Sequence, residues 1–526
     1  MKAIVSGVLC GVAAFGAAWF LFHADGSSVA PANNDLSYAE IAPGGRQPYR
    51  SVTEHSVRIG GKEIDYAAIA GETILYATQG APIGSIFSFS YIKNNPADSS
   101  RPVLFIFNGG PGAASIWLHM GAVGPKRVVL DNEVNPSNTP PFGVTDNPNS
   151  VLDVADLVFI DPVGTGFSQP AGEGTTADFW GVDEDANAVA QFIELWLTEH
   201  GRWNSPKYVM GESYGSIRAA VLPRALMGGP YYTGVMRGVT LNGIILLGTT
   251  LEARAETGQS IKDEVLANAL ALPSIAATAW YHRKGAKQEE SLEALYAEAK
   301  AYAVGDYLGA LRKQETGSLS EGERQEALAR LVEFTGLSAD DIGEDLVISA
   351  SDFAKTILKG EGLDAGMYDS RYTLPAANSG GDPVADDPAM GRYVPGFIAA
   401  FHQMLHDDLG VALKRPYGAI VWKDLLPSWN WKRAGVAENQ NFAVDLSWAM
   451  RRNEKLRLLV ANGYYDLVTP PAMAENILDA VGIPADRVAY RNYESGHMLY
   501  LGDTSKQFSD DVRALIMASS DDKAGL

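Results

Sequence analysis

The stretch that decides the fold runs from residue 208 to 226 and reads YVMGESYGSIRAAVLPRAL. An apolar run enters a G-x-S-x-G motif at residues 211–215, and a helical pattern begins at Ile217. Small residues beside the serine permit a tight strand-to-helix turn that lifts the hydroxyl out of the sheet. The order of strand, turn and helix therefore predicts Ser213 as a nucleophile.

Further apolar runs predict the sheet around this turn. They are bounded by Gly and Pro, and a strand covered on both faces is apolar throughout, as in parallel sheets. These runs are Val103–Phe107, Leu157–Ile160, Tyr208–Met210, Gly243–Leu247 and Leu456–Val460. Helical patterns at Glu184–Glu199 and Ile217–Leu226 fall between them. The alternation predicts an α/β protein with a mostly parallel central sheet.

Alternating polar and apolar residues precede the sheet. Ser56–Ile69 and Thr73–Thr78 predict a hairpin, with glycines at 60–61 and at Gly71 as turn signals, and Gly84–Ile92 predicts another strand. A long insertion with a different sequence pattern separates the last strands from the rest. Its helical patterns and one irregular loop are typical of a lid, and they lie at Ala253–Leu270, Lys287–Val304, Ser320–Thr335 and Pro375–Pro388.

The amino terminus predicts export. Lys2 precedes the apolar stretch Ala3–Phe22, whose length matches the ~20 residues of a membrane-spanning helix. A small-x-small site ends at Ala30, but Pro31 follows it, so a cleaved signal peptide and an uncleaved anchor both stay open. The sole cysteine, Cys10, lies in this segment, so the exported body can form no internal disulfide.

The predicted organisation has four parts. Residues 1–30 are a signal peptide or N-terminal membrane anchor, 31–50 a linker, 51–252 with 451–520 the catalytic domain, and 253–450 a lid. We expect a periplasmic or extracellular protein that meets the membrane only through its N-terminal segment. The oligomeric state stays open.

Composition excludes several classes of function. A net charge of −21 without segregated basic residues argues against nucleic acid as a partner. His402 and His406 are spaced like helical metal ligands, but Gln403 stands where a zinc protease has its catalytic glutamate. We predict no metal and no other cofactor. Four lid tryptophans are expected to pack in the core rather than line a pocket, and they are Trp422, Trp429, Trp431 and Trp448.

Two residues near the carboxyl end complete the chemistry that Ser213 needs. A serine hydroxyl requires a base, and the base requires a carboxylate that holds its tautomer. His497 lies in a turn-like setting beyond the insertion, and Asp466 follows the apolar run Leu456–Val460. The chain order Ser, Asp, His is that of α/β-hydrolases. We therefore predict Ser213, His497 and Asp466 as a catalytic triad.

A glycine-rich turn follows the strand Val103–Phe107. Its sequence, residues 108–112, is NGGPG, which permits backbone N–H groups to approach a ligand as an oxyanion hole requires. A second donor would be the N–H of Tyr214, the residue after the nucleophile.

These motifs resemble the serine carboxypeptidase family of the α/β-hydrolase superfamily, in a bacterial member. The resemblance rests on Asn108–Gly112, Asp156–Ser168, Gly211–Gly215, Gly463–Asp466 and Gly496–Met498. It implies the triad, an oxyanion hole formed by the N–H groups of Gly110 and Tyr214, and carboxypeptidase activity on peptide or protein C-termini. It also implies that three residues hold the free substrate carboxylate, namely Asn108, Gly109 and Glu212.

Two positions depart from the family pattern. Counted from Gly112 to Gly124, the second carboxylate-binding glutamate would fall at Ala122, and Tyr464 replaces the first Asp of the usual G-D-x-D. Half of the acid pair is thus absent, which bears on carboxylate recognition and on an acidic pH optimum. The alternatives are an esterase or acyltransferase with the same triad, and a non-catalytic envelope binding protein on a hydrolase scaffold.

Overall fold

A ten-stranded mixed sheet forms the centre of the protein in the computed structural model. The structure describes residues 47–94, 100–252, 263–377, 381–437 and 441–521. The predicted signal or anchor and most of the predicted linker lie outside these residues. Within the described ranges, every helix is too short or too polar to cross a membrane.

The strands are numbered in chain order. They are β1 (Arg50–Ile59), β2 (Lys62–Tyr76), β3 (Pro82–Lys93), β4 (Val103–Phe107), β5 (Lys126–Val129), β6 (Gly143–Asp146), β7 (Asp156–Asp161), β8 (Gln169–Pro170), β9 (Lys207–Glu212), β10 (Gly243–Leu247), β11 (Leu363–Ala365), β12 (Thr373–Pro375), β13 (Arg457–Gly463) and β14 (Val488–Tyr493).

The helices are also numbered in chain order. They are α1 (Val182–Glu199), α2 (Tyr214–Met227), α3 (Glu264–Tyr281), α4 (Leu292–Tyr302), α5 (Leu308–Glu315), α6 (Glu321–Thr335), α7 (Ala339–Ile342), α8 (Ala350–Thr356), α9 (Pro388–Asp407), α10 (Leu425–Ser428), α11 (Ala443–Arg452), α12 (Pro471–Ala480) and α13 (Thr504–Asp521). Single π or 3-10 turns lie at Leu118–Val123, Thr176–Asp178, Ala303–Tyr307, Lys359–Glu361 and Ala485–Arg487.

The strand order is β1-β2-β3-β7-β4-β9-β10-β13-β14, with β8 paired to β3. Strands from β7 to β14 in this order run parallel, and the first three pair antiparallel. Every residue of β4, β7, β9 and β10 is buried, because helices and loops cover both faces of the sheet. The prediction of an α/β fold with a mostly parallel central sheet is confirmed.

The five predicted core strands coincide with β4, β7, β9, β10 and β13, and the two predicted core helices with α1 and α2. The N-terminal hairpin exists, but its turn lies at Gly60–Gly61, and Gly71 is inside β2. The prediction of a turn at Gly71 is therefore wrong. A side chain there would approach the Tyr49 carbonyl oxygen to 2.9 Å, so this glycine permits close backbone contact.

The predicted lid has two parts with different neighbours. Helices α3 to α8 share their own apolar core, which includes Leu272, Leu331 and Phe353. The predicted helix Ala253–Leu270 corresponds in part to α3, which continues to Tyr281, whereas residues 253–262 lie outside the described ranges. The predicted boundaries of the lid as a domain stay a prediction.

Helix α9 belongs to the core beside the sheet. The Asp387 carboxylate accepts from the N–H groups of Ala389 and Met390, and Pro388 takes the first helical position, so the start of the helix is well defined. Residues Phe397 and Phe401, four apart, place aromatic rings on one buried face. The following chain brings Ile420 beside Ala113 through a strand-like bridge. This segment thus reaches the carboxyl edge of the sheet.

Candidate active site

Ser213 lies at a strained turn between β9 and α2. Its φ and ψ are 59° and −127°, a conformation that is costly for a residue with a side chain. The Ser213 N–H donates to the Leu247 carbonyl at 2.9 Å, which ties the turn to β10. A side chain at Gly211 would approach the Gly215 carbonyl oxygen to 2.0 Å. The motif therefore needs its glycines because the two ends of the turn touch.

The predicted acid and base meet across two loops. Asp466 follows β13, His497 follows β14, and Asp466 Oδ2 lies 2.7 Å from His497 Nδ1. Thr469 adds a second partner: its hydroxyl donates to Asp466 Oδ2 and lies 3.0 Å from His497 Nδ1. A carboxylate at Nδ1 favours the tautomer with its proton on that nitrogen, which leaves Nε2 as the base.

Asp466 is completely buried and remains ionised. Its Oδ1 accepts from the N–H groups of Val468 and Thr469, each at 2.8 Å. Burial alone would raise the pKa of this carboxyl, but the charge and hydrogen bond of His497 and the bonds from Thr469 lower it below its usual value. The carboxylate is thus prepared to stabilise a histidine that becomes protonated.

Tyr368 and Gly248 both lie against His497. The backbone N–H of His497 donates to the Tyr368 carbonyl at 2.6 Å, and the Tyr368 ring meets the imidazole edge-on at 5.4 Å. At Gly248, φ is +47° and a side chain would come within 2.8 Å of His497 Cε1. Tyr368 and Gly248 therefore limit the positions that the ring can take.

The glycine-rich turn after β4 lies directly against the Ser213 turn. A side chain at Gly109 would come within 2.4 Å of the Tyr214 nitrogen, and one at Gly110 within 2.6 Å of the Gly112 nitrogen. Tyr214 is the first residue of α2, so its N–H has no partner within that helix. The N–H groups of Gly110 and Tyr214 stay the predicted oxyanion hole, and the two turns that carry them are in contact.

Glu212 lies one residue before the nucleophile and is buried. Its Oε2 accepts from the side-chain amide of Asn108, and its Oε1 makes no hydrogen bond of standard geometry among the described residues. Burial raises the pKa of Glu212 to about 7, although the charge of His497 and hydrogen bonds from Tyr500 and Asn108 lower it, and Asp466 raises it further. A protonated Glu212 has one proton to donate into the site.

A cavity of about 160 Å³ joins these groups. Seven of the eight predicted site residues line it, and Asp466 lies behind His497. The seven are Asn108, Gly109, Gly110, Glu212, Ser213, Tyr214 and His497. Much of the remaining wall is apolar and aromatic, with Trp117, Ile217, Met390, Tyr393, Ile420 and Trp422 among its residues.

Two of the four lid tryptophans also line this cavity, Trp422 and Trp431. The expectation that all four only pack in the core is therefore wrong. Trp429 does pack there, edge-on to the Tyr214 ring at 5.3 Å. The loop between α9 and α11 carries Trp422 across the glycine-rich turn, with its Nε1 3.0 Å from where a Gly110 side chain would lie.

A buried ion pair supports both turns from behind. Arg218 on α2 donates to Asp185 Oδ2 at 2.6 Å and to the Asn108 carbonyl at 2.6 Å. Both side chains are at most 4% exposed, and the guanidinium lies over the Phe107 and Tyr214 rings. This pair fixes the chain at Asn108 relative to the nucleophile turn.

Sequence reasoning did not find Thr469, Tyr368, Gly248 or the Arg218–Asp185 pair. Arg218 offered a signal, because an arginine in an otherwise apolar helix face directly after the motif implies a buried partner. The others offered none, since their contacts with His497 join segments that are distant in the chain.

The strand order, the strained serine turn after β9, and the acid and histidine after β13 and β14 define the α/β-hydrolase fold with the site of a serine hydrolase. Residues 76–297 match the model of the serine carboxypeptidase family. The resemblance seen in the motifs is thus confirmed over that part of the chain.

Curated relatives agree with this match. Serine carboxypeptidase-like 8 of Arabidopsis thaliana is 32% identical over 150 residues, which cover 28% of this chain and 32% of that protein. Pheromone-processing carboxypeptidase KEX1 of Blastomyces gilchristii is 30% identical over 146 residues, covering 27% of this chain and 21% of that protein. The matches thus span a third or less of each relative.

Among solved structures, proline iminopeptidase of Mycobacterium smegmatis superposes with a TM-score of 0.33 at 12% identity. The superposition covers 89% of this chain and 99% of that one. Such a score is too low to add to the fold assignment made from the strand order.

Proposed function

We propose that this protein is a serine-type carboxypeptidase that hydrolyses C-terminal peptide bonds through an acyl-enzyme. The observation that carries the proposal is the shared cavity, in which the Ser213 turn, the His497–Asp466 pair and the Asn108–Glu212 pair meet. A nucleophile beside a buried acid suits a substrate whose own carboxylate lies next to the bond to be broken.

In the first half-reaction, Ser213 Oγ attacks the carbonyl carbon of the C-terminal peptide bond. His497 Nε2 takes the hydroxyl proton and gives it to the leaving amine, so the C–N bond breaks and a free amino acid departs. Asp466 stays ionised throughout and stabilises the protonated imidazole. In the second half-reaction, His497 activates a water that releases the shortened peptide and restores Ser213.

The negative charge that develops on the carbonyl oxygen requires donors at its final position. We assign that role to the backbone N–H groups of Gly110 and Tyr214. The contact of Gly109 with Tyr214 supports the assignment. It shows that the turn that carries the Gly110 N–H touches the turn that carries the Tyr214 N–H. The Arg218 bond to the Asn108 carbonyl keeps them in register.

Recognition of the terminal carboxylate falls to Asn108, Gly109 and Glu212. A protonated Glu212 donates its proton to the substrate carboxylate, and the Asn108 amide, bonded to Glu212, holds the acid in place. A pKa of about 7 keeps Glu212 protonated in mildly acidic solution. Peptide or protein C-termini are then the substrates, with apolar side chains favoured by the aromatic wall.

The proposal includes export through the N-terminal segment, as a cleaved signal peptide or an anchor, to the periplasm or the cell exterior. That segment lies outside the described residues, and its support is the apolar run Ala3–Phe22 after Lys2. N-terminal sequencing of the protein from the host's soluble and membrane fractions distinguishes the two forms.

The test uses a blocked dipeptide with a free carboxyl end and the same dipeptide as its amide. Wild type should release the amino acid from the free acid much faster than the amide from its counterpart, and Ser213→Ala should release neither. A fluorophosphonate probe should label wild type at Ser213. Failure of labelling in folded protein would instead support a non-catalytic binding protein.

An esterase or acyltransferase is the second candidate, and Ala122 favours it because half of the family's acid pair is missing. Such an enzyme would hydrolyse a simple ester with Ser213 dependence while showing no preference for the free acid over the amide. The same pair of dipeptides, with one ester added, therefore decides between the two functions.

A further inference from the structure

The segment that carries Ala122 packs against an aromatic ring instead of presenting an acid. Residues Leu118–Val123 are all buried, and a side chain at Gly121 would come within 2.7 Å of the Tyr500 ring. Tyr500 follows His497 by three positions and is fully buried. Tyr500 lies on the segment that carries His497, the predicted base, and its ring thus contacts the segment that carries Ala122.

The hydroxyl of Tyr500 faces the acid that the proposed function uses. Tyr500 and Glu212 each shift the other's pKa, and Asn108 is near enough to Tyr500 to contribute. The Tyr500 hydroxyl and Glu212 Oε1 are both buried and, in the described ranges, neither closes a hydrogen bond of standard geometry. Two buried atoms of complementary hydrogen-bonding chemistry therefore belong to side chains that are close enough to interact.

We propose that Tyr500 is a positioning residue for Glu212: its hydroxyl takes the place of the acid that is missing at Ala122 and orients Glu212 toward the substrate carboxylate. The inference rests on the proposed carboxypeptidase function. Tyr500 does not line the cavity, so it acts through Glu212 and Asn108 rather than on the substrate.

A phenol differs from a second carboxyl group in the pH at which it loses its proton. Two adjacent carboxyl groups share protons and titrate as a coupled pair. Burial raises the pKa of Tyr500 well above its usual value, so the phenol stays neutral and Glu212 alone titrates. Binding of the free carboxylate should then depend on one ionisation rather than two.

Other titratable groups face this pair. The charge of His497 lowers the pKa of Glu212 and that of Asp466 raises it, whereas Tyr393 on α9 raises the pKa of Tyr500. Burial raises the pKa of Tyr393 well above its usual value, and Asp466 is held ionised by His497 and Thr469. Among the acid and the phenols of this group, Glu212 is the one whose pKa, about 7, lies near neutrality.

The experiment measures kcat and KM for a blocked dipeptide acid and its amide between about pH 5 and 9, a range that spans the pKa of Glu212. Tyr500→Phe removes the hydroxyl and keeps the ring. The proposed donation from this hydroxyl stabilises the ionised form of Glu212. Its loss should therefore raise the KM of the acid substrate about threefold and move its alkaline limb up by roughly half a pH unit. Values for the amide should stay within about twofold.

Tyr208→Phe is the matched control, since Tyr208 is equally buried and its hydroxyl donates to the Ile516 carbonyl far from the site. It should leave both profiles unchanged. Identical profiles for Tyr500→Phe and wild type, or equal losses on acid and amide, would overturn the inference. A wild-type alkaline limb that needs two ionisations would also overturn it, and that readout does not depend on the folding of a variant.

Different results would contradict the carboxypeptidase function and the role of Tyr500. If wild type does not prefer the acid to the amide, the carboxypeptidase function itself is wrong, and the role of Tyr500 falls with it. If wild type shows the preference and Tyr500→Phe keeps it unchanged, only the role of Tyr500 is wrong.

Discussion

Asp466 Oδ2 and His497 Nδ1 lie 2.7 Å apart although the two residues are 31 positions apart in the chain. The contact exists because β13 and β14 are parallel neighbours, so that the loops after them meet at one edge of the sheet. It selects the imidazole tautomer whose Nε2 can act as a base.

Asp466→Asn should lower kcat by roughly 1,000-fold or more, because an amide at this position favours the wrong tautomer and removes the charge that stabilises the imidazolium. The fold should persist, as judged by circular dichroism. Asp511→Asn, which removes an α13 carboxylate that bonds to the Tyr493 hydroxyl and pairs with Arg491, is the control and should retain full kcat. A small loss for Asp466→Asn would mean that another residue orients His497.

The glycine at position 248 makes a separate prediction. Gly248→Ala should lower kcat by about tenfold to 100-fold, because the new side chain displaces the His497 ring, and misplacement of a catalytic group by about 1 Å has such effects. Gly201→Ala controls for backbone strain, since its φ is +63° and nothing lies within 4 Å of the added carbon. Equal losses of activity in both variants would contradict the proposed contact.

The pH dependence follows from Glu212. In the proposed function, Glu212 is protonated below about pH 7 and donates to the substrate carboxylate; above this value it ionises and repels that carboxylate. The KM of a free-acid peptide should therefore rise about tenfold per pH unit on the alkaline side, whereas the KM of the amide should stay flat. Glu212→Gln should remove this alkaline rise. A rise of equal size for both substrates would place the ionisation elsewhere.

The Arg218–Asp185 pair predicts a large effect on stability. Arg218→Met leaves Asp185 buried without its partner, which should lower the free energy of unfolding by about 3–5 kcal/mol in denaturant titration. Replacing both residues by apolar ones should cost less than the single change. Lys506→Ala, which breaks a well-exposed pair with Asp510, should change stability by less than about 1 kcal/mol.

Much of this architecture follows from local sequence. Continuous apolar runs form the strands β4, β7, β9, β10 and β13. Such runs in an alternating α/β pattern are compatible with few folds other than the one observed. The G-x-S-x-G motif at residues 211–215 implies its own turn, and the order of Ser213, Asp466 and His497 led to the prediction of an acid and a base that the structure places 2.7 Å apart. These features are encoded within a few residues of each functional group.

What the sequence did not predict depends on contacts between distant segments. Trp422 reaches the cavity because the chain after α9 crosses the glycine-rich turn, a path that no periodicity encodes. In the sequence Gly71 looks like a turn residue, and only the fold shows that Tyr49 packs against it. The Tyr500 hydroxyl comes near its proposed partner, Glu212, only when the segment after His497 packs on the segment that carries Ala122.

The most direct test of the central claim follows a peptide of about ten residues by mass spectrometry, with its carboxyl end either free or amidated. The account predicts stepwise loss of single residues from the free carboxyl end by wild type, little loss from the amidated peptide, and none with Ser213→Ala. Cleavage within the peptide, loss from its amino end, or release that persists in Ser213→Ala would contradict it.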